Sequence, residues 1–496
     1  MRSVLFVALV LTGGLSKPVW ADRLGVAAGY FPDPWGNPFS SISITRKPLW
    51  SALFDPLALV TADGELVPWI AIDWQQVAPN EWRITLRDGV VFDNGEPLTA
   101  ESVVAAITYL TSPVGRATPV GRDLIGIIGA QAVGPLTVLL KTTTPDALLP
   151  YKLPIIHPVE TQRWADLGPD AYFQDPTGTG PYTVEEIKPN RVTLKASPTS
   201  WRGAPSQTLE YLVLLEPAAR QAALATGEAD VAITAVSPDE FDMVRSRGGK
   251  VYIDRIPSVV SLAYSIEGRE SPFADHRVRE AMIYAINRDA IVAILMGGAT
   301  RVSNQPAPTG AFGYAYDVQT RPYDPDRARA LLSEAGYGDG FSFSMDMPAG
   351  AVIYTDVFQQ VAVDLARVGI KLTIQLLPQA RFLENIQTGR WKGDAMAMPM
   401  FTPMSDALYP MRQNSCLWHA AYYCDPAAVP LIEKAATAVD LEERRNATEA
   451  VMRHAHETAQ ALFLYETVSF VGLGPRIGRF RSDYGFIRYE MLKLKD

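Results

Sequence analysis

The stretch Glu81–Leu110, EWRITLRDGVVFDNGEPLTAESVVAAITYL, decides how the rest of the chain is read. Trp82, Ile84 and Leu86 alternate with Arg83, Thr85 and Arg87, a period of two that predicts a half-buried strand. Asp88-Gly89 and Asn94-Gly95 are turn dipeptides, because glycine takes positive φ without a Cβ clash, and Val90-Val91-Phe92 between them reads as a short return strand. Thr99 is placed to cap a helix, with Glu101 in the first turn where the helix dipole favours an anion. Val103, Val104, Ile107 and Leu110 then share one helical face. Periodicity by itself defines a strand–turn–strand–helix unit and nothing more.

The literal residues carry further. The pattern W-x-I-x-L-R-D-G-V-x-F-x-x-G-x-P-L-T-A-x-S-V resembles the signature of the peptide/nickel/opine family of extracytoplasmic solute-binding proteins, which serve ABC importers. Other blocks are similar to the same family and in the same order: PLWSALFDPLALVTADGELVPWIAIDW at 48–74, the turn Pro176-Thr177-Gly178-Thr179-Gly180-Pro181-Tyr182, RQAALATGEADVAI at 220–233, PFADHRVREAMIYAINRD at 272–289 and YDPDRARALLSEAGY at 323–337. In the last of these Asp324 is the N-cap, Pro325 occupies N1 and Gly336 follows the end. Asp440 with Glu443 three residues on makes a capping-box-like start to a late helix, and Ala461–Tyr465 is a short apolar strand. Alternating helices and strands imply mostly parallel sheets with α/β layering.

The resemblance implies an α/β, two-lobed type II periplasmic binding protein fold with an additional domain on the first lobe. Lobe I would be discontinuous (22–45, 167–253 and 470–496), the extra domain would span 46–166 and lobe II 254–469. Ligand would lie between the lobes and be buried by hinge rotation near Arg255 and Gly472. The implied partners are a small-molecule solute and an inner-membrane permease–ATPase complex, with the receptor a monomer.

Composition agrees with export and a soluble fold. The chain has 496 residues, 48% hydrophobic and 20% charged, which suits two or three globular domains. Met1–Ala21 reads as a secretory signal: Arg2 is the basic start, Val4–Leu11 the apolar centre and Val19-Trp20-Ala21 the small-residue exit. The expected location is the periplasm. Formal charge is −9, and loss of Arg2 and Lys17 with the signal makes it −11. No basic stripe suggests nucleic acid as a partner. In an oxidising compartment the two cysteines, Cys416 and Cys424, are expected to form a disulfide closing one loop.

No catalytic or cofactor motif stands out: there is no H-E-x-x-H, G-x-S-x-G, C-x-x-C or Walker A pattern. His454 and His456, two apart on a predicted helix, point about 200° from each other and cannot share a metal from one face. Cys416-x-x-His419-x-x-x-x-Cys424 lacks a fourth ligand for a metal site. The expectation is therefore a binder with no cofactor, with an exported hydrolase and a periplasmic chaperone or sensor partner as the rival readings.

Two regions supply candidate ligand contacts. The loop Tyr30-Phe31-Pro32-Asp33-Pro34-Trp35 is rich in aromatics, and family members send a comparable loop into the cleft. Asp394–Cys424 alternates methionines at 396, 398 and 400 and continues with Phe401, Trp418, Tyr422 and Tyr423; such walls adapt to varied shapes. The full candidate set is Tyr30, Phe31, Trp35, Tyr264, Met398, Met400, Phe401, Asp406, Trp418, His419 and Tyr422. Peptide-binding members place an Asp after this strand to pair with an α-ammonium. Here Thr402 or a neighbour stands in its place, with Asp406 at a later acidic position, which points away from an ordinary oligopeptide and toward a larger amphipathic or neutral solute.

Overall fold

A computed structural model describes residues 23–31, 35–233, 237–349 and 352–495. The expected signal, Met1–Ala21, and Pro32–Pro34 of the aromatic loop lie outside the described residues.

The chain is built on a ten-stranded sheet and a separate four-stranded one. The smaller sheet contains Glu81–Leu86. Ala71–Ala78, Glu81–Leu86, Ile127–Gly134 and Thr137–Thr142 pair antiparallel, and Ala100–Thr111 is the helix laid against them. Trp82, Ile84 and Leu86 are buried while Arg83 faces out, as the alternation predicts. Thr99 is the N-cap, and its N–H donates to Ser102 Oγ at 3.3 Å. The expected return strand Val90–Phe92 shrinks to one bridge, Val91 to Pro97. Val90 and Phe92 still bury their side chains.

Two long strands organise the large sheet, Lys250–Tyr264 and Ala461–Leu473, paired antiparallel along almost their whole length. On one side of this ribbon stand Ala395–Phe401, Phe341–Pro348 and Ile370–Leu377; on the other stand Val231–Ala232, Arg23–Ala28, Thr208–Val213, Arg191–Ala196 and Tyr182–Lys188. The sheet is mixed, not mostly parallel as expected. Parallel pairing is confined to Arg23–Ala28 with its two neighbours and to Phe341–Pro348 with its two. The reason is topological: one ribbon strand carries the chain out and the other carries it back, so they must run antiparallel, and the hairpins through 182–213 add more. Ala461–Leu473 also exceeds the expected short strand, because Glu466, Thr467 and Ser469 interrupt the apolar run without interrupting the ladder.

Three main hydrophobic cores result. One lies under the Ala395–Phe401 half of the sheet and includes Tyr264, Phe273, Met282, Phe358 and Met398. A second fills the four-stranded domain around Trp69, Phe92, Ile107 and Leu153. The third underlies the half that carries Arg23–Ala28, around Leu24, Tyr182, Tyr211 and Tyr489. Two segments pack across the expected domain divisions. The helix Lys47–Leu53, expected in the extra domain, buries Leu49, Trp50 and Leu53 in the third core. Tyr172 and Phe173, expected in lobe I, lie in the core of the four-stranded domain.

The Pro176–Tyr182 turn is a junction between these bodies. A Cβ at Gly178 would stand 2.0 Å from Leu53 O and one at Gly180 2.4 Å from Ala52 O, so only glycine admits that backbone. Beside it sits Asp55, 1% exposed. Its Oδ1 accepts from Trp69 Nε1 at 2.7 Å and lies 2.9 Å from Arg202 Nε; its Oδ2 accepts from Thr179 Oγ1 at 2.8 Å and Trp201 Nε1 at 3.0 Å. Removing one partner of such a buried pair leaves the other charge uncompensated. Asp55→Ala should therefore cost about 3–5 kcal/mol of stability, read as a lowered urea midpoint. A cost under about 1 kcal/mol would show that Arg202 is held without it.

Candidate functional site

A cavity lies between the second and third cores. Ile42, Lys47 and Trp50 come from the first loop and helix, Leu59, Val60, Ile155 and His157 from the four-stranded domain, Pro403 from the loop after Ala395–Phe401, and Asp483, Tyr484 and Phe486 from the C-terminal segment. Its free volume is about 50 Å³, room for a few waters, so the walls are drawn together as they stand.

Contacts across the gap hold them there. Met404 packs into the core of the four-stranded domain, Tyr409 Oη donates to Asp123 Oδ1 at 3.1 Å, and the rings of Tyr151 and Phe312 lie 5.9 Å apart. The backbones at Gly64 and Gly310 touch so closely that a Cβ on Gly310 would meet Asp63 O at 2.2 Å. Ser405 and Tyr484, both at φ 51, sit in the left-handed region that non-glycine residues rarely enter. Such strain persists only where surrounding structure enforces it.

The cavity's ionisable groups are unusual. His157 lies between the rings of Phe39 and Phe54, each centroid 6.4 Å away, and burial pushes its pKa down to about 3. Its Nδ1 has no hydrogen-bond partner among the described residues. Lys47 is pushed down to about 8 by burial, against the pull of Asp254 and Asp483. Asp483 is paired with Arg481 at 3.2 Å and Arg488 at 3.1 Å. Asp254 is pushed up to about 6 by burial, although it accepts from Ser482 Oγ at 2.7 Å and Gly485 N at 3.1 Å. Burial also raises the Tyr484 phenol to about 12.

The expected contact residues mostly lie elsewhere. Ala395–Phe401 pairs with Tyr264 at its start and Ser258 at its end. Its start and end are therefore roughly 20 Å apart along the strand. Only the Phe401 end abuts the cavity region. Met398 and Met400 are buried in core on a central strand covered on both faces. Tyr264 is fully buried and stacks on Phe273 at 4.7 Å, at the far end. Tyr422 is buried there too, edge-on to Trp391. Trp418 Nε1 donates to Ile386 O at 3.1 Å, and His419 Nε2 lies 2.9 Å from Gln387 O. These two dock the disulfide loop on the helix Gln379–Thr388, away from the cavity. Cys416 and Cys424 are bonded as expected.

Asp406 and Thr402 are spoken for. Asp406 Oδ2 accepts from Arg444 at 3.0 Å and its Oδ1 from Leu408 N at 3.0 Å. Thr402, fully buried, donates its hydroxyl to Pro257 O at 2.9 Å. Phe401 is 48% exposed at the strand end and does not line the cavity. Tyr30 hydrogen-bonds Arg46 at 2.7 Å, while Phe31 and Trp35 pack on the third core, Trp35 O accepting from Trp50 Nε1 at 2.7 Å. The aromatic loop thus buttresses the cavity wall from behind. No group of three or more metal-ligating side chains occurs among the described residues, and His454 and His456 go separately to Asp425 and Asn304 O.

Sequence reasoning missed Lys47, His157, Asp483, Tyr484 and Phe486. They converge from positions up to some 440 residues apart, and no local spacing marks them.

A large mixed sheet whose two flanks are joined through a two-stranded ribbon, with a further four-stranded domain beside it, is the architecture of the type II periplasmic binding fold. Solved structures share that fold. NikA from Brucella suis in complex with Fe(III)-EDTA matches with a TM-score of 0.81 at 20% identity over 95% of this chain and 100% of that one. The periplasmic binding protein DppA from Helicobacter pylori in complex with the peptide STSA matches at 0.75, 19% identical over 96% and 98%. The chain belongs to the bacterial extracellular solute-binding proteins, family 5, whose profile matches residues 65–415. The glutathione-binding protein GsiB of Salmonella paratyphi A is 31% identical over 300 residues, spanning 59% of this chain and 57% of that relative's length. Among the described residues no helix is long and apolar enough to cross a membrane.

Two outcomes follow from these placements. Trp418→Ala should lower stability by about 2–4 kcal/mol through lost packing and leave bound small molecule at wild-type content after purification. Loss of that content with an unchanged melting curve would return Trp418 to the site. His157 is neutral when folded and protonates near 6.5 when unfolded, so its contribution is complete above pH 6.5 and is lost as pH falls toward 3. Its share of the loss at pH 4.5 is about 3 kcal/mol, and His157→Phe should flatten the acid limb of stability against pH by that amount. An unchanged acid limb would place the acid sensitivity elsewhere.

Proposed function

We propose that this chain is the periplasmic receptor of an ABC importer, capturing a peptide-like or amphipathic small solute between two lobes and presenting the closed form to a membrane permease and its ATPase. The observation that carries this reading is the cavity walled by the four-stranded domain, by the helix Lys47–Leu53 and C-terminal segment of the half that carries Arg23–Ala28, and by Pro403 from the loop after Ala395–Phe401. A site walled by separate bodies can admit solute only if they part, and the ribbon supplies a place for that motion. The ladder between Lys250–Tyr264 and Ala461–Leu473 breaks register between Arg255 and Val259, opposite Thr467. The hinge is accordingly assigned to Ile256–Ser258 and Thr467; Gly472, near the other expected crossing, pairs regularly with Val251 and Ala232. Lobe I comprises the Arg23–Ala28 half, lobe II the Ala395–Phe401 half, and the four-stranded domain rides on lobe I through Asp55 and the Gly178–Gly180 turn.

The relatives' names include glutathione-, dipeptide- and oligopeptide-binding proteins and opine complexes, which supports a small organic solute. A binding role, with no chemistry on the solute, fits a cavity whose histidine is held neutral and whose lining carboxylate, Asp483, is paired with two arginines. Mass spectrometry of small molecules released on denaturation should identify the solute, and prolonged incubation with it should return it unchanged. Closure can be tested without ligand. Phe312→Ala with Tyr409→Phe removes about 1–3 kcal/mol of contact across the gap. That should shift the resting population toward an open form, seen as a larger radius of gyration in X-ray scattering. Identical scattering for variant and wild type, both with and without the identified solute, would exclude hinge closure.

A further inference from the structure

A second cavity, of about 260 Å³, shares no wall residue with the one between the domains. It lies where the helices Pro217–Thr226 and Phe241–Ser246 end beside the last residues of the ribbon strand Ala461–Leu473. Both helices stop at a left-handed glycine, Gly227 at φ 76 and Gly248 at φ 77, so no side chain fills the space between their ends. Leu224 and Val244, from the edge of the first core, and Leu473, from the edge of the third, form its buried part, and Met243, 40% exposed, borders it. Helix C-termini repel anions through free carbonyls. Four of these are already taken: Ala223 O accepts from Ala229 N at 2.9 Å, Leu224 O from Gly227 N at 3.3 Å, Val244 O from Gly249 N at 3.1 Å and Arg245 O from Gly248 N at 2.9 Å. No carboxylate lines the cavity among the described residues. The charges nearby are spent on one another, Asp242 with Arg245 at 3.2 Å, Asp230 with Arg476 at 3.3 Å and Glu228 with Arg191 at 3.3 Å. Arg247 alone of the lining side chains is charged, and its exposed guanidinium makes no hydrogen bond or ion pair among the described residues.

We infer that this cavity is a second binding site, for an anionic amphiphile of medium chain length, with the chain against Leu224, Val244 and Met243 and the head group on Arg247. The site is separate from the one assigned to the solute and stands or falls without the receptor reading. An apolar cavity of about 150 Å³ holds benzene, and on that scale 260 Å³ takes a chain of roughly eight to ten carbons. The unbranched, polarisable side chain of Met243 can follow such a chain as it enters. A guanidinium is the fitting head-group partner, because its planar fork of donors meets two oxygens of a carboxylate or phosphate at once and gives up its hydration more readily than an ammonium. A free alkyl carboxylate and an acidic phospholipid at a membrane surface present the same chemistry, an apolar chain ending in an oxyanion.

The experiment titrates the full chain by calorimetry with hexanoate, octanoate and decanoate, and with octanol and octyltrimethylammonium as uncharged and cationic controls. Wild-type protein should bind the carboxylates saturably, each methylene tightening binding roughly threefold to fourfold. Arg247→Gln should weaken octanoate roughly tenfold and leave octanol unchanged. Ala225→Trp, at an exposed position of the cavity wall, should abolish both. Arg247 is exposed, so its variant should melt with wild type and keeps the test decisive should Ala225→Trp fail to fold. Vesicles identify the source: phosphatidylglycerol vesicles that sediment wild type but not Arg247→Gln, with phosphatidylcholine inert, assign a membrane lipid, and decanoate binding without vesicle association assigns a free amphiphile. No binding of decanoate to wild type at millimolar concentration overturns the inference. So does octyltrimethylammonium binding as tightly as octanoate, or octanoate binding that survives unchanged in a folded Ala225→Trp or in Arg247→Gln. Small molecules released on denaturation should be the same for wild type and both variants, so these outcomes leave the receptor reading where it stands.

Discussion

The pairing of Asp55 with Arg202 is the constraint on which the remaining architecture depends. A carboxylate buried to 1% exposure survives only if its lone pairs are met, and four donors from three separate segments meet them. Each segment belongs to a different part of the molecule: Trp69 to the four-stranded domain, Thr179 to the glycine turn, Trp201 and Arg202 to the loop before Thr208–Val213. Arg202 continues outward, donating to Ser51 O at 2.8 Å and to Glu490 at 3.2 Å, and its guanidinium lies 5.4 Å from the rings of both Trp69 and Phe486. Phe486 is also a wall of the cavity. The node therefore fixes the helix that carries Lys47, the strand that follows it and the C-terminal wall in one frame. Such a network adds little net stability over a well-packed apolar one, but it tolerates a single arrangement.

Much of the fold was legible because it is written locally. Asp324 and Asp440 cap their helices with the side-chain bonds their positions predict, accepting from Arg327 N and from Glu442 N and Glu443 N. Gly227 ends its helix in the left-handed conformation at φ 76. Alternation in Glu81–Leu86 names the buried face correctly. What depends on a covering layer was not legible. Met396, Met398 and Met400 alternate like one wall of a cleft, yet Ala397 between them and Ala395 before them are equally buried, because both faces of that part of the strand are covered. Periodicity reports that a side chain is inside and cannot report whether core or ligand surrounds it.

The cavity-lining residues escaped for a related reason. Trp418 and Tyr422 look like contacts because aromatics in a loop suggest a pocket, whereas the disulfide-closed loop docks on Gln379–Thr388, away from the cavity. Lys47, by contrast, sits in a stretch that reads as an ordinary helix start, and its meaning arises only when Tyr484 and Phe486 arrive from the far end of the chain. Pairings between distant segments are set by the completed fold, and residues recruited that way leave no spacing to read.

The two ribbon strands give the molecule a mechanical character. A pair of hydrogen-bonded strands resists shear and in-plane bending, since either would stretch the ladder, but it twists readily, twist being the soft coordinate of a sheet. The register break beside Arg255 removes ladder bonds over a few residues and concentrates that softness there. On the proposed closure, movement of one half against the other would be reduced to nearly one degree of freedom, a torsion about the ribbon axis. A joint of this kind behaves as a torsion spring with a resting angle and not as a slack tether. Residues that set the local twist, such as Pro257 and the β-branched Val259 and Val260, would then tune how far apart the jaws rest, with no contact to the solute at all.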